Sequence, residues 1–228
     1  MRIIFIRHGH PNYREDCLTE LGHMQAEAAR ERLEREKIDK FFSSSCGRAA
    51  QTAEHVAEGR GMEVELLDFM REISWGSIDG DELTHNGHPW RTVDDMVASG
   101  QDLFSSTWRK EEPFLRNKVV RYADTVAENF DHFLADLGYV REGDYYRVIA
   151  PKYDTVLLAS HGGSSSAVLS HIFNLPLPFV LRSICPEFTA ITIVTFSDEV
   201  GKLISPRFEL MNDAEHIRGI SGESMYGK

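Results

Sequence analysis

The chain has 228 residues, 42% hydrophobic and 27% charged, enough for one substantial core and ordinary for a globular protein. A formal net charge of −11 argues against general attraction to nucleic acid or anionic membrane, and no apolar stretch reaches membrane-spanning length. Cys17, Cys46 and Cys185 are too scattered for a disulfide framework and the apolar run after Met1 is too short for a signal peptide, so a cytoplasmic location is expected.

Ile3 to Ile6 is a run of branched and aromatic residues, the pattern of a strand buried on both faces. After a polar loop through Cys17, Thr19 is predicted to cap a helix running to about Lys37, with Leu21, Met24, Ala28 and Leu33 as its apolar stripe. A strand follows at Lys40 to Ser44, then Cys46-Gly47-Arg48 and a helix from Ala49 to Ala57. Gly59 and Gly61 end that helix, and Val64 to Leu67 reads as a strand. From Gly76 to about Gly100 the periodicity breaks up. Pro113 to Leu137 is predicted as one long helix on the spacing of Leu115, Val119, Tyr122, Val126, Phe130, Phe133 and Leu137. Thr155 to Ala159 is a further buried strand, followed by Ser160-His161-Gly162-Gly163 and a helix to Phe173. Two strands are predicted near Ala190 to Phe196 and Lys202 to Leu210.

Strands alternating with helices imply an α/β three-layer sandwich, a mostly parallel central sheet with helices on both faces. The chain reads as a single domain, residues 1–228, with a cap-like insertion at about 79–143. Ligands in such sheets bind beyond the carboxyl ends of strands. Arg7-His8-Gly9, Ser45 to Arg48 and Ser160 to Gly163 each follow a strand immediately, so three distant segments are expected to meet at one edge.

Together they hold the groups that phosphoryl transfer needs: a nucleophile and cations for the phosphoryl oxygens. His8 can attack through one ring nitrogen if the other is held as a donor to a backbone carbonyl. Arg7 and Arg48 offer planar forks for phosphate oxygens, Arg48 from the start of a helix, and His161 offers a further hydrogen bond. Gly9 and Gly162 let backbone approach a ligand. His10, His85 and His88 lack carboxylate or cysteine neighbours at ligand spacing and read as loop histidines, so no metal is expected. Of Trp75, Trp90 and Trp108, about one is expected to touch substrate and the rest to pack.

Four stretches resemble the histidine phosphatase superfamily, the phosphoglycerate mutase-like group. Ile6-Arg7-His8-Gly9 is similar to its RHG signature, and Leu18-Thr19-Glu20-Leu21-Gly22-His23-Met24-Gln25-Ala26 to its LTxxGxxQA pattern. Ser44 to Ala53 is similar to its SxxxRAxQTA stretch, and Ser160-His161-Gly162-Gly163 to its second-histidine motif. The resemblance implies that His8 becomes a phosphohistidine while Arg7, Arg48 and His161 hold the phosphoryl group. It implies a general acid and base after the strand that follows the Arg48 helix, where Met70 to Gly76 supplies Glu72. It also implies that neither metal nor cofactor is used. Where the family often has Glu or Gln, then Thr, and later Asn, this chain has His10, Pro11 and Arg14, which makes Arg14 a candidate phosphate ligand. Asn212-Asp213 and His216 resemble a tail stretch of bacterial family phosphatases and also read as a turn opening a helix.

The expected function is hydrolysis of a phosphate monoester of a small metabolite. One alternative is a cofactor-dependent phosphoglycerate mutase, which would need extra cations; family mutases carry a basic stretch after the acid, whereas Glu72 is followed by neutral Ile73-Ser74-Trp75-Gly76. A second alternative is a catalytically silent phosphate-binding domain, against which stands the presence of all five candidate groups.

Overall fold

Ile3 to Arg7 of β1 (Arg2–Arg7) are all buried, with Ile3 and Phe5 in one apolar cluster and Ile4 and Ile6 in another. A strand with two buried faces must be covered twice. The computed structural model describes residues 1–220 and supplies both covers.

Past β1, a small hairpin of β2 (Pro11–Asn12) and β3 (Cys17–Leu18) leads into α1 (Glu20–Arg32), then β4 (Lys40–Ser44), α2 (Gly47–Ala57) and β5 (Val64–Leu67). The middle of the chain holds α3 (Pro89–Ala98), α4 (Lys118–Asp136) and a hairpin, β6 (Tyr139–Glu142) and β7 (Tyr145–Val148). The remainder is β8 (Thr155–Ser160), α5 (Gly162–Ile172), α6 (Leu177–Ser183), β9 (Ile191–Thr195), β10 (Leu203–Ile204) and β11 (Arg207–Asp213). The main sheet runs β11-β9-β1-β8-β4-β5, with the pairs among β1, β8, β4 and β5 parallel and the two made by β9 antiparallel. Ala29 of α1 and Leu33 at its end, with Ala53 and Val56 of α2, cover Ile4 and Ile6. On the opposite face α4 and α5 cover Ile3 and Phe5, with α6 packed on α5; Phe130 packs 6.1 Å from Phe5, and Phe133 lies edge-on to Phe42 at 4.9 Å. This is the expected α/β architecture, and truncating Phe130 or Phe133 to alanine should cost about 3–5 kcal/mol.

Several expected elements are redrawn. The Thr19 side chain does cap α1, accepting from the Gly22 amide, but the helix ends at Arg32 and buries Gly22, Gln25, Ala26 and Ala29. Met24 is 53% exposed: the face is chosen by the small residues that let α1 lie close to the sheet and α2. The long helix starts at Lys118, five residues after Pro113, because Asn117 is its cap. Asn117 is buried; its Oδ1 accepts from the amides of Val119 and Gly76, and its Nδ2 donates to the Gly87 carbonyl. Within the stretch without periodicity, Pro89 opens α3 behind His88. Lys202 to Leu210 divides at Ser205-Pro206, and β10 joins the β6–β7 hairpin while β11 edges the main sheet.

Register sets up the site. Arg7 pairs with Ser160, and Ala159 pairs with both Ile6 and Ser43, so β1, β8 and β4 end at one level. The residues that follow each strand emerge side by side.

Candidate active site

At that edge Arg7, His8 and His161 are 3%, 1% and 0% exposed, and Arg48 is 8% exposed. Buried polar groups must find partners, and these do. His8 Nδ1–H donates to the Gly9 carbonyl at 2.8 Å, which fixes the tautomer and leaves a lone pair on Nε2. Arg48 Nε–H points at that lone pair from 3.4 Å. Another Arg48 nitrogen, Nη2, donates to His161 Nδ1 at 3.0 Å, and His161 Nε2–H then donates to Ser44 Oγ at 2.8 Å. The two imidazoles meet edge to face, centroids 5.0 Å apart. Burial, with Arg7 and Arg48 close by, holds His8 well below its ordinary pKa; burial, His8 and the same arginines do so for His161. Both rings are neutral near pH 7, and the tautomer inferred for His8 is the one a nitrogen nucleophile requires.

Arg7 donates to the Pro186 carbonyl at 2.8 Å and lies over the Phe188 ring, 4.2 Å from its centroid. Arg48 is anchored by Asp16, which also accepts from the Gly47 amide at 2.8 Å. The anion at the start of α2 is therefore the protein's own carboxylate.

Glu72 reaches the same edge from beyond β5. Its Oε1 accepts from the amides of Ile73, Gly163 and Ser164 at 3.0, 2.9 and 3.1 Å, the last two in the first turn of α5. Burial raises its pKa above the ordinary carboxylate value; Arg7, the Ile73 and Ser164 amides and Arg48 pull the other way, with burial the larger effect. The close backbone approach falls at Gly163, where a Cβ would sit 2.5 Å from Glu72 Oε1 and 2.4 Å from Ile73 Cγ1. At Gly162 an added methyl would make ordinary contacts, 3.5 Å or more from its neighbours.

The structure thus brings His8, Arg7, Arg48, His161, Glu72 and Gly162 to one edge. Arg14 is exposed, with its backbone amide on the Asn12 side chain, and it does not line the adjoining cavity. Tyr13 does line it, and the Arg48 guanidinium sits 5.4 Å from that ring. His10 is tied to Thr19 Oγ1, and its amide to Gln25. The cavity, about 1020 Å³, is bounded by Arg7 and Glu72 and extends to Trp75 and Trp90, while Trp108 is buried against Phe114.

Sequence reasoning missed Asp16 and the segment from Cys185 to Thr189. Asp16 carried no motif. The Phe188 ring lies tilted against His8 and under Arg7, and the Thr189 amide donates to the Arg7 carbonyl. Thr189 holds φ 52°, a left-handed conformation costly for a β-branched residue, and its Oγ1 meets His216 Nε2 at 3.1 Å. Asn212 steadies the same segment, accepting from the Glu187 amide. The tail stretch therefore buttresses the site from behind. Among the described residues one set of metal-ligating side chains converges, Glu27, His55 and Glu58; His55 lies in the last turn of α2, at the opposite end from Arg48.

The family model described as the histidine phosphatase superfamily (branch 1) matches residues 3–137, more than half of the chain. Sequence relatives include a 2,3-bisphosphoglycerate-dependent phosphoglycerate mutase of Bartonella tribocorum, 27% identical over 76% of this chain and 82% of that protein. A shorter match to a probable phosphoglycerate mutase GpmB of Photorhabdus laumondii, 29% identical, takes in 40% of this chain and about half, 48%, of that protein. Among solved structures, a phosphoserine phosphatase of Entamoeba histolytica in complex with 3-phosphoglyceric acid shares the fold, with a TM-score of 0.61, 20% identity, and 95% of this chain and 98% of that one covered. Among the described residues no helix is long and apolar enough to cross a membrane.

Proposed function

Because the chain belongs to the histidine phosphatase superfamily, we propose that it is a phosphatase that hydrolyses a phosphate monoester of a small metabolite through a phosphohistidine on His8. The observation that carries this reading is the inferred tautomer of His8: Nδ1–H is spent on the Gly9 carbonyl, and Nε2 keeps its lone pair beside the Arg48 guanidinium. Nε2 attacks phosphorus as the bond to the leaving oxygen breaks. Arg7 and Arg48 take up charge on the phosphoryl oxygens, and His161 keeps Arg48 oriented. Glu72, protonated more readily than an ordinary carboxyl, gives its proton to the leaving oxygen. Its carboxylate then takes a proton from the water that attacks phosphohistidine, which releases phosphate and restores both groups.

Ordinary values of 4.5 for a carboxyl and 6.5 for an imidazole leave little enzyme with the acid protonated and the base free. The opposite shifts of Glu72 and His8 enlarge that fraction, an arrangement with a use in catalysis.

The mutase alternative needs a second anion site near Glu72. Neutral Ile73, Ser74 and Trp75 follow Glu72 instead, and of the cavity's two further cations Arg182 already faces Asp94 at 3.7 Å, which leaves Arg91 alone for a second anion. The silent-domain alternative leaves the two shifted groups without a use. Phosphate release from a panel of phosphorylated metabolites, with His8→Ala as control, tests the proposal. Conversion of 3-phosphoglycerate to its 2-isomer on addition of 2,3-bisphosphoglycerate, without net phosphate release, would establish the mutase. No turnover of any ester would establish the silent domain.

A further inference from the structure

We infer that the cavity beside Glu72 holds an alcohol portion built on a planar, largely apolar ring system; the inference rests on the phosphatase reading above. Glu72 lines this cavity, so a leaving oxygen that receives its proton stands at the mouth and the alcohol extends inward. The volume, about 1020 Å³, lies at the top of the range, roughly 300–1,000 Å³, of pockets that enclose drug-sized ligands. A three-carbon acid would leave most of it to water.

The walls match a ring. Trp75 meets Trp90 edge to face at 6.3 Å and His88 at 5.0 Å, an arrangement that leaves ring surface for a further aromatic partner. Trp90 spends its polar edge elsewhere, donating from Nε1 to Cys185 Sγ at 3.1 Å. Its Cζ2 would lie 3.5 Å from a methyl on Gly162, and Arg7 Cζ 3.7 Å from the same methyl, so the indole adjoins the reacting end. Val97 and Ala98 of α3 and Leu181 of α6 add apolar surface. The charges in this wall are Arg91 and Arg182 against Asp94, two positive and one negative, and Arg182 already faces Asp94. Such a wall accommodates one further anionic group at most, and it offers poor compensation to a compact polyanion.

The test compares two primary alkyl esters, 2-(1-naphthyl)ethyl phosphate and propyl phosphate, whose leaving oxygens are chemically alike. The wild-type protein should favour the naphthyl ester at least tenfold in kcat/KM, chiefly through KM, and should also favour it over O-phosphoserine and 3-phosphoglycerate. In Trp90→Ala that ratio should fall at least fivefold, while Trp90→Phe should retain most of it; a ratio does not depend on how much of a preparation is folded. Equal use of the two alkyl esters, or a preference for propyl phosphate, O-phosphoserine or 3-phosphoglycerate, would overturn the ring pocket and leave the phosphatase reading standing. A preference unchanged in both Trp90→Ala and Trp75→Ala would overturn it as well. If no ester releases phosphate and His8 is never phosphorylated, the phosphatase reading itself falls.

Discussion

The strand-end cluster and the cavity wall adjoin one another but are held in place by different physics. Arg7, His8, Arg48 and His161 are almost fully buried, and polar bonds set their orientations: Gly9 to His8, Arg48 to His161, His161 to Ser44, Asp16 to Arg48. Trp75, His88 and Trp90 are oriented by ring packing and by a loop that hangs on Asn117. A polar network tolerates few substitutions, because each loss leaves a buried group unpaired. An apolar wall can be rebuilt with other rings at small cost. On the function proposed above, the difference teaches that the chemistry would be carried by a rigid arrangement and the selectivity by a replaceable one.

That contrast is open to attack from several sides. The largest effect is expected for Glu72→Gln, which keeps shape and removes the proton. Turnover of alkyl phosphates should fall about a hundredfold or more, as general acid catalysis allows. In the wild type, kcat/KM for an alkyl ester should fall as pH rises through the raised pKa of Glu72, since only the protonated form serves the first step. The variant should lose that limb. Retention of the limb would move the acid role to another group.

Arg48→Lys keeps the charge but loses the fork that joins Asp16, His8 and His161. Its kcat/KM should drop about ten- to a hundredfold. A lysine variant of wild-type activity would mean that the polar network tolerates substitution after all, and the contrast with the wall would fail.

Asn117→Ala tests the other side. It strands the Gly76 and Val119 amides and the Gly87 carbonyl, so denaturant unfolding should show a loss of about 1–3 kcal/mol. KM for bulky esters should rise more than kcat falls, because the cavity wall is loosened while the strand ends are untouched.

A last effect concerns stability against pH. His8 and His161 are depressed in the folded state, so below the ordinary value of 6.5 the unfolded chain binds protons that the folded chain refuses. Stability is therefore lost as pH falls from 6.5 toward the folded values. Glu72, raised in the folded state, acts in the opposite sense above 4.5. Thermal unfolding of His161→Asn should show a flatter acid limb than the wild type, and an unchanged limb would mean that His161 is not buried in its neutral form.

What was legible in the sequence follows the same division. Strand ends can be read because a parallel strand is a short apolar run with an abrupt stop, and the polar residues at that stop have few other reasons to be there. Register then aligns Ile6, Ala159 and Ser43, and the polar residues just past them emerge together. The buried face of α1 is hidden in the sequence because alanine, glycine and a buried glutamine form it, while Met24 faces outward. Asn117 ahead of an apolar-periodic run was a readable cap, hidden by the apparent continuation of the pattern to Leu115. Asp16, Phe188 and the tryptophan wall come from loops whose paths depend on tertiary contacts, and no local periodicity reports those.

The central claim is that His8 carries the phosphoryl group between the two half-reactions. Wild-type protein mixed with a chromogenic aryl phosphate and quenched in denaturant within the first turnover tests it directly. The account predicts up to one acid-labile, base-stable phosphoryl group per chain, located on His8 by peptide mapping, and none in a folded His8→Ala variant. Full turnover by that variant, or a phosphoryl group on any other residue, would contradict it.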